Sequence, residues 1–194
     1  YVVAYDQFCI NEAALPVFMN ETGVPAYDED GQRHAFSGVM AFEGSGNDRM
    51  SSWKAVFDAA SGSLVSYVLG GKELMVSPLE PCFARAVIEN DLGAGQDRRL
   101  DMWRKAELTV ASFNVENTDF CYRVNVEYAP IGETALVRII YDVYADGSIA
   151  AKEEMTDAGK LAEAIMLPRF GMQFAMPGEF STFEFFGLGP EENY

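Results

Sequence analysis

The sequence has few of the groups on which most enzyme sites are built. Its 194 residues include one histidine, His34, and three widely separated cysteines, Cys9, Cys82 and Cys121. No Cys-x-x-Cys pair occurs, so neither a zinc site nor dithiol chemistry is expected. Buried free thiols suit a reducing cytoplasm, and the periplasm also accepts them. His34 stands among Pro, Gly and acidic residues, which predicts an exposed loop histidine and no catalytic role.

Basic residues are scarce as well. The sequence contains fourteen Lys and Arg residues and thirty Asp and Glu residues, which gives a formal net charge of −16. That excess repels phosphate backbones and anionic lipid, so neither nucleic acid nor a membrane is expected as a partner. No apolar run reaches the ~20 residues of a membrane helix. The one basic cluster, residues 98–105, alternates with Asp97 and Asp101, which predicts a solvated face of mutual ion pairs.

What the sequence does contain is apolar and polar residues alternating with a period of two. Ala135 to Ala145 is typical, and Asp146-Gly147 after it predicts a type I′ turn into a returning strand. About ten such strands and no helical stripe predict an all-β fold, with antiparallel sheets packed as a sandwich. The other predicted strands cover residues 1–10, 39–43, 52–58, 63–69, 106–116, 120–128, 149–155, 170–176 and 181–186.

Two long segments lack this alternation. Residues 11–38 are rich in Pro, Gly and acids, which predicts a linker or long surface loop. The predicted domain organisation has three parts. Residues 1–20 are the end strand of a preceding domain plus linker, residues 21–38 are a linker or loop, and residues 39–194 are the sandwich. The second segment is Ser77 to Lys105, and loops of this length in compact domains usually have a function.

Charged residues cluster within that second segment. Arg85 stands four residues before Glu89, Asn90 and Asp91, in otherwise apolar surroundings. Isolated charges are costly there, so the arginine and the acids are expected to satisfy one another or to bind backbone groups of the loop. The structural interpretation is a pinned loop, and the functional alternative is the rim of a site.

Five phrases in order over Met40 to Tyr194 resemble a known family. They are "FDAASGSLVSYVLGGKELMVSPLE", "FARAVIENDLGAG", "MWRKAEL", "LPRFGMQFAMP" and "FFGLGPEENY". Their order resembles the C-terminal domain, also called the small-chain or fifth domain, of family 2 glycoside hydrolase β-galactosidases. Tyr1 to Ile10 is similar to the last strand of the immunoglobulin-like domain that precedes it in those enzymes.

The resemblance implies a large twisted antiparallel sandwich of the galactose-mutarotase-like type, cut short here on its C-terminal side. Such a domain packs on a catalytic (β/α)8 barrel that carries both catalytic glutamates, and the whole enzyme hydrolyses terminal β-galactosides with retention. No catalytic residue and no cofactor is then expected in this chain. Magnesium or sodium ions, and assembly into a homo-oligomer, would belong to the parent enzyme. Beyond Tyr194 further strands are expected, which would leave an exposed sheet edge or core face in this chain.

The resemblance also places the loop after the Asn-Asp phrase, Gly93 to Asp101, near the active-site entrance. Sugar-stacking candidates are Trp103, Phe185 and Phe186. The candidates for the rim of the active site are Arg85, Glu89, Asn90, Asp91, Gly93, Asp97, Arg98, Arg99 and Asp101.

Two alternatives stay open at this point. A free-standing carbohydrate-binding module could use Trp53, Trp103 and the phenylalanines at 183, 185 and 186 as stacking platforms, although Trp53 and Phe57 share a strand face as core residues do. A mutarotase-like aldose epimerase is suggested by the fold alone. It needs histidine and carboxylate as acid and base, and a single histidine in a predicted linker disfavours it.

Overall fold

Two antiparallel sheets form the described part of the chain. The computed structural model describes residues 23–42, 49–160 and 167–182. Sheet I has the strand order β1-β2-β3-β4-β6-β11, with β5 also paired to β4, and sheet II has the order β10-β9-β8-β7. The strands are β1 (Ala26–Asp30), β2 (Arg33–Phe42), β3 (Arg49–Asp58), β4 (Ser63–Leu69), β5 (Lys72–Glu73), β6 (Ser77–Pro81), β7 (Val110–Asn117), β8 (Cys121–Tyr128), β9 (Ala135–Tyr144), β10 (Ile149–Asp157) and β11 (Met172–Ala175). Two short helices, α1 (Glu89–Gly93) and α2 (Asp101–Arg104), lie between β6 and β7.

The core lies between the two sheets, as the alternation predicts. Trp53, Ala55 and Phe57 of β3 are at most 2% exposed. The rings of Phe57 and Tyr141 meet across the interface with centroids 5.0 Å apart. The β9 residues predicted to share a face are at most 1% exposed, namely Val137, Ile139, Tyr141 and Val143. The prediction of an all-β sandwich is therefore confirmed.

The first hairpin corrects the prediction of a linker or loop over residues 21–38. From Ala26 onward the chain forms β1 and β2, joined by a tight turn at Gly31 with a φ of +61°. His34 pairs with Phe57 in the sheet, so it faces the core and is only 8% exposed. The prediction of an exposed loop histidine is therefore wrong. The proline and acids that suggested a linker lie at the start of the hairpin and on its outer strand, where charge suits an exposed edge.

Other strand predictions are confirmed with shifted ends. The strand predicted over 106–116 begins four residues later, at Val110, and the one over 170–176 shortens to β11. The strand predicted over 120–128 begins one residue later, at Cys121, and Phe120 is 56% exposed because it lies in a turn closed by Thr118. The predictions over 1–10 and 183–186 lie outside the described residues.

The β9–β10 turn is not the predicted type I′. Only Gly147 has a positive φ, +88°, and no described residue other than glycine does. The Gly147 N–H donates to the Tyr144 carbonyl at 3.0 Å, and the Tyr144 N–H donates to the Ser148 carbonyl at 3.0 Å. This is the three-residue loop in which a type I turn is followed by a left-handed glycine.

This turn also joins the two sheets. The indole Nε1 of Trp53 donates to the Ala145 carbonyl at 3.2 Å, and the Tyr67 hydroxyl donates to the Gly147 carbonyl at 2.7 Å. A reciprocal contact runs from sheet II to sheet I, where the Tyr128 hydroxyl donates to the Ser61 carbonyl at 3.1 Å. Each sheet therefore receives a hairpin turn of the other.

Candidate functional site

The irregular segment from 82 to 105 is anchored to the core at both ends. Its first N–H, from Cys82, donates to the Gly171 carbonyl at 2.6 Å. Phe83 is 4% exposed and stacks on Phe170, with ring centroids 6.2 Å apart. At the other end Leu100 and Trp103 are 3% and 2% exposed. The segment therefore packs on the sandwich rather than extending freely from it.

A bidentate ion pair holds the middle of this segment. The Arg85 guanidinium donates to both carboxylate oxygens of Asp91, at 2.7 and 3.1 Å. The Ile88 N–H donates to the same carboxylate at 3.0 Å, and Arg85 also donates to the Ala86 carbonyl at 2.9 Å. These bonds, that from Arg85 first, hold the pKa of the 6% exposed Asp91 below its usual range. The prediction of a pinned loop is confirmed.

The remaining rim candidates lie on the outer side of the pinned segment. Glu89, Asn90 and Gly93 are exposed on α1, and Arg98 and Arg99 are exposed in the turn before α2. The predicted mutual ion pairs form only at Asp101. Its carboxylate accepts from Lys105 at 2.6 Å and from Arg104 at 3.2 Å, and the bond from Lys105 lowers the pKa of Asp101.

This arrangement suits binding and positioning. Asp91 is held as an anion by its partners, so it does not exchange protons near neutral pH. The exposed guanidinium groups of Arg98 and Arg99 are donors that remain available to acceptors such as sugar hydroxyls. Ile88 and Leu92 add exposed apolar surface in the same segment, at 50% and 59% exposure. The segment presents donors and apolar contacts on a fixed base.

The two tryptophan candidates do not reach this surface. Trp103 is 2% exposed and packs its ring against Phe83, with centroids 6.3 Å apart. Stacking on a sugar requires an open ring face, so the prediction for Trp103 is wrong. Trp53 is a core residue too, as its place beside Phe57 predicts. Phe183, Phe185 and Phe186 lie outside the described residues.

Comparison with known proteins decides the family. The family described as "Beta galactosidase small chain" matches residues 49–194. The chain belongs to the β-galactosidase small-chain family.

Individual relatives support the same assignment. A β-galactosidase of Priestia megaterium is 30% identical over 198 residues, which cover 100% of this chain and 18% of the relative. A β-galactosidase of Halalkalibacterium halodurans is 34% identical over 146 residues, covering 73% of this chain and 14% of the relative. A β-galactosidase of Clostridium acetobutylicum is 31% identical over 145 residues, which cover 73% of this chain and 16% of the relative. The chain therefore spans under a fifth of these relatives, and the resemblance seen in the sequence is confirmed.

The small-chain domain also contains an apolar cleft that the sequence reasoning missed. The cleft has a volume of about 340 Å³ and lies between sheet I and β10. Its lining residues are Leu64, Tyr67, Leu74, Met75, Leu79, Gly147, Ile149, Ala151, Phe174 and Met176. Farther along the inner face of β10 stands Glu153, and burial raises the pKa of its carboxyl to about 7. The available signal was an acidic residue at an inward position of a strand that otherwise alternates.

Neither a metal-binding cluster nor a membrane-spanning helix occurs in the part of the chain that the structure describes. No three His, Cys, Asp or Glu side chains within residues 23–42, 49–160 and 167–182 come together in a way that could hold a metal ion. In the same part of the chain, no helix has the length and apolar character needed to cross a bilayer.

Proposed function

We propose that this chain is a non-catalytic domain of a longer β-galactosidase, in which the segment 82–105 borders the entrance to the active site. The observation that carries the proposal is a surface segment with exposed arginines whose base is fixed by the Arg85–Asp91 pair. The family match and the small share of each relative that the chain covers support it. The catalytic barrel and an immunoglobulin-like domain of the same polypeptide would then be its neighbours.

The domain would contribute by positioning. Hydrolysis of a terminal β-galactoside with retention needs two carboxyl groups about 5 Å apart, and these would be supplied by the catalytic domain. Arg98 and Arg99 would donate hydrogen bonds to substrate hydroxyls, and Ile88 and Leu92 would pack against the catalytic domain. A rigid base matters because catalytic and binding groups must be held within a fraction of an ångström of their productive positions.

The chemistry of the described residues supports a role without catalysis. The single histidine is buried, with its Nδ1 2.8 Å from the Tyr27 hydroxyl and its ring packed on Phe113. It is therefore unsuited to the open acid and base pair of a mutarotase-like epimerase. The burial of both tryptophans likewise weighs against a free-standing carbohydrate-binding module, because such modules stack sugars on exposed rings.

Activity measurements on the isolated chain and on the parent enzyme test this proposal. The purified chain should not hydrolyse a chromogenic β-galactoside. In the parent enzyme, the double change Arg98→Ala and Arg99→Ala should raise KM by about five-fold with little change in kcat, the loss expected for binding hydrogen bonds. The change Arg33→Ala, at an exposed arginine of β2, is the control and should leave both constants unchanged.

Two results would overturn the proposal. One is hydrolysis by the chain alone, at a rate that follows its concentration and disappears when one of its acids is replaced. The other is a double arginine variant of the parent enzyme with the wild-type KM.

A further inference from the structure

The face of sheet II that points away from the core carries two adjoining depressions. The first has a volume of about 300 Å³ and lies over β7, β8 and β9. The second has a volume of about 420 Å³ and lies nearer Pro130 and Leu136. Glu127 and Arg138 line both depressions, which therefore form one groove, here called the outer groove. Its size is within the range of small-molecule sites, roughly 300–1,000 Å³.

Asn125 lies in the first depression with part of its amide unused. In the register of sheet II it is opposite Asn114 of β7 and Ile140 of β9, and it is only 9% exposed. Its Oδ1 accepts from the Arg138 guanidinium at 3.0 Å. A guanidinium only donates, so this bond fixes which end of the amide is the oxygen.

The other end of this amide is a donor held in place. The Nδ2 group of Asn125 has no hydrogen-bond partner among the described residues. Leaving a largely buried donor unbonded is costly, so polar side chains at such positions normally have a partner. The amide therefore calls for an acceptor that enters the outer groove.

Opposite charges alternate around this donor. Arg138 lies opposite Glu127 in the register of the sheet. Arg123 lies between Glu116 and Asp142, and its guanidinium donates to both oxygens of Asp142 at 2.7 and 2.8 Å. A charged ligand of either sign would meet a like charge beside each opposite one. The groove therefore favours a neutral ligand.

Donors, acceptors and apolar carbon occur together in the outer groove. The exposed Glu127 carboxylate accepts from the Ser112 hydroxyl at 3.2 Å and has further acceptor capacity. Leu136 lines the second depression and is 40% exposed. A sugar matches this set, because its hydroxyls donate and accept and its ring carbons are apolar. Tyr128, the aromatic residue among those that line the groove, is 3% exposed, so hydrogen bonds rather than ring stacking would hold the ligand.

We propose that the outer groove binds a neutral carbohydrate the size of a disaccharide, with the Asn125 amide and the Arg138 guanidinium donating to its hydroxyls and Glu127 accepting from them. A few such hydrogen bonds without stacking give an affinity in the millimolar range. The inference goes beyond the proposed function and does not depend on it, because the unbonded amide is a property of this chain.

Thiodigalactoside is a suitable probe, because it is a neutral disaccharide whose thioglycosidic bond resists hydrolysis. Nitrogen–proton correlation spectra of the purified chain should show that it shifts the side-chain amide signal of Asn125 and backbone signals of β7 and β8. The dissociation constant from this titration should be millimolar. Sodium chloride should not change it, because the ligand carries no charge to be screened.

Variants of the chain locate the site. Asn125→Asp keeps the shape and the acceptor for Arg138 but removes the donor, so it should weaken binding by about five-fold or more, the loss of one hydrogen bond. Glu127→Ala, at an exposed position, removes the acceptor and should weaken binding by a similar factor. The control Asn117→Asp makes the first substitution at the end of β7, outside the groove, and should leave the dissociation constant unchanged.

A second measurement asks whether the groove is open in the parent enzyme. The variant Ser112→Cys places a thiol in the first depression. In the parent enzyme this thiol should react with a maleimide, followed by mass spectrometry of its peptide, and thiodigalactoside should slow the reaction. A thiol that reacts in the chain but not in the parent enzyme would show that another domain covers the groove, which would overturn the inference.

Three results with the chain would also overturn it. They are spectra that do not respond to thiodigalactoside, a dissociation constant that is unchanged in both Asn125→Asp and Glu127→Ala, and an affinity that falls as sodium chloride is added. None of these measurements uses galactoside hydrolysis, so their failure is distinct from failure of the proposed function.

Discussion

Replacing Gly147 by alanine tests the contact that joins the two sheets. Gly147 has a φ of +88° in the β9–β10 turn and is buried. A Cβ atom built there would lie 2.9 Å from Cγ of Trp53 and 3.0 Å from the methyl carbon of Met40. The indole cannot move away freely, because Trp53 is 2% exposed and donates to the Ala145 carbonyl of the same turn. The turn must therefore shift, and its contacts with sheet I weaken.

Two separate costs determine the expected loss. A residue other than glycine in the left-handed region costs roughly 1–2 kcal/mol. Forcing a methyl group into a closely packed site costs about 1–3 kcal/mol more. Gly147→Ala should therefore lower the free energy of unfolding by about 3 kcal/mol. Gly132 provides the matched control, because its φ is +59° and a Cβ there would meet no atom within 4 Å. Gly132→Ala should cost only the first part, about 1.5 kcal/mol.

Urea denaturation of both variants, followed by circular dichroism, measures the difference. The slope of unfolding free energy against urea should stay constant, since neither change alters the surface exposed on unfolding. Equal losses at the two glycines would refute the role assigned to the Trp53 contact. A loss at Gly147 near 1.5 kcal/mol would mean that backbone conformation alone makes glycine necessary there.

Two further changes probe the buried carboxylates. Burial raises the pKa of the Glu153 carboxyl to about 7 in the folded protein, from an ordinary value of 4.5 in the unfolded chain. The contribution of this group to stability is therefore fully present below pH 4.5 and is lost as the pH rises through 7. Glu153→Gln should remove this pH dependence, because the amide does not ionise. The difference in free energy of unfolding between variant and wild type should therefore be about 2 kcal/mol more favourable to the variant at pH 8 than at pH 4, after allowance for solvent screening. Thermal melts between pH 4 and 8 check this, and parallel wild-type and variant profiles would contradict it. Arg85→Ala should speed thermolysin cleavage within residues 86–99, because Asp91 loses its partner and the segment opens more often. The control Arg99→Ala, in the same segment, should leave the cleavage rate unchanged. Equal cleavage rates in the two variants would contradict the pinning role of Arg85.

The sequence predicts the fold best where apolar and polar residues alternate along the whole length of a strand. β9 is the clearest example, since each of its predicted inward residues is buried. The first hairpin was missed because its strands carry acids and a proline nearby, and such composition is typical both of linkers and of exposed edges. Only pairing with β3, a contact between segments distant in sequence, distinguishes the two. Turn type was missed for a similar reason, since Asp-Gly suits a type I′ turn and also the three-residue loop found here.

Prediction of the site succeeded for local chemistry and failed for burial. An arginine close to acids in apolar surroundings predicts a mutual pair, and Arg85 with Asp91 forms one. Trp103 looked like a stacking platform because sequence does not reveal which side of an irregular segment packs on the core. The core position of Glu153 depends on the register between β9 and β10, which the alternation alone does not fix to the residue.

The two buried carboxylates lead to a distinction between complete and incomplete parts of the domain. Asp91 receives two bonds from Arg85 and one from the Ile88 N–H, and its pKa falls. Glu153 receives none from the described residues, and its pKa rises. The segment 82–105 therefore has what it needs to hold its shape before any partner arrives. The carboxylate of Glu153 has no such partner among the described residues, so its core-facing position costs stability whenever it is ionised.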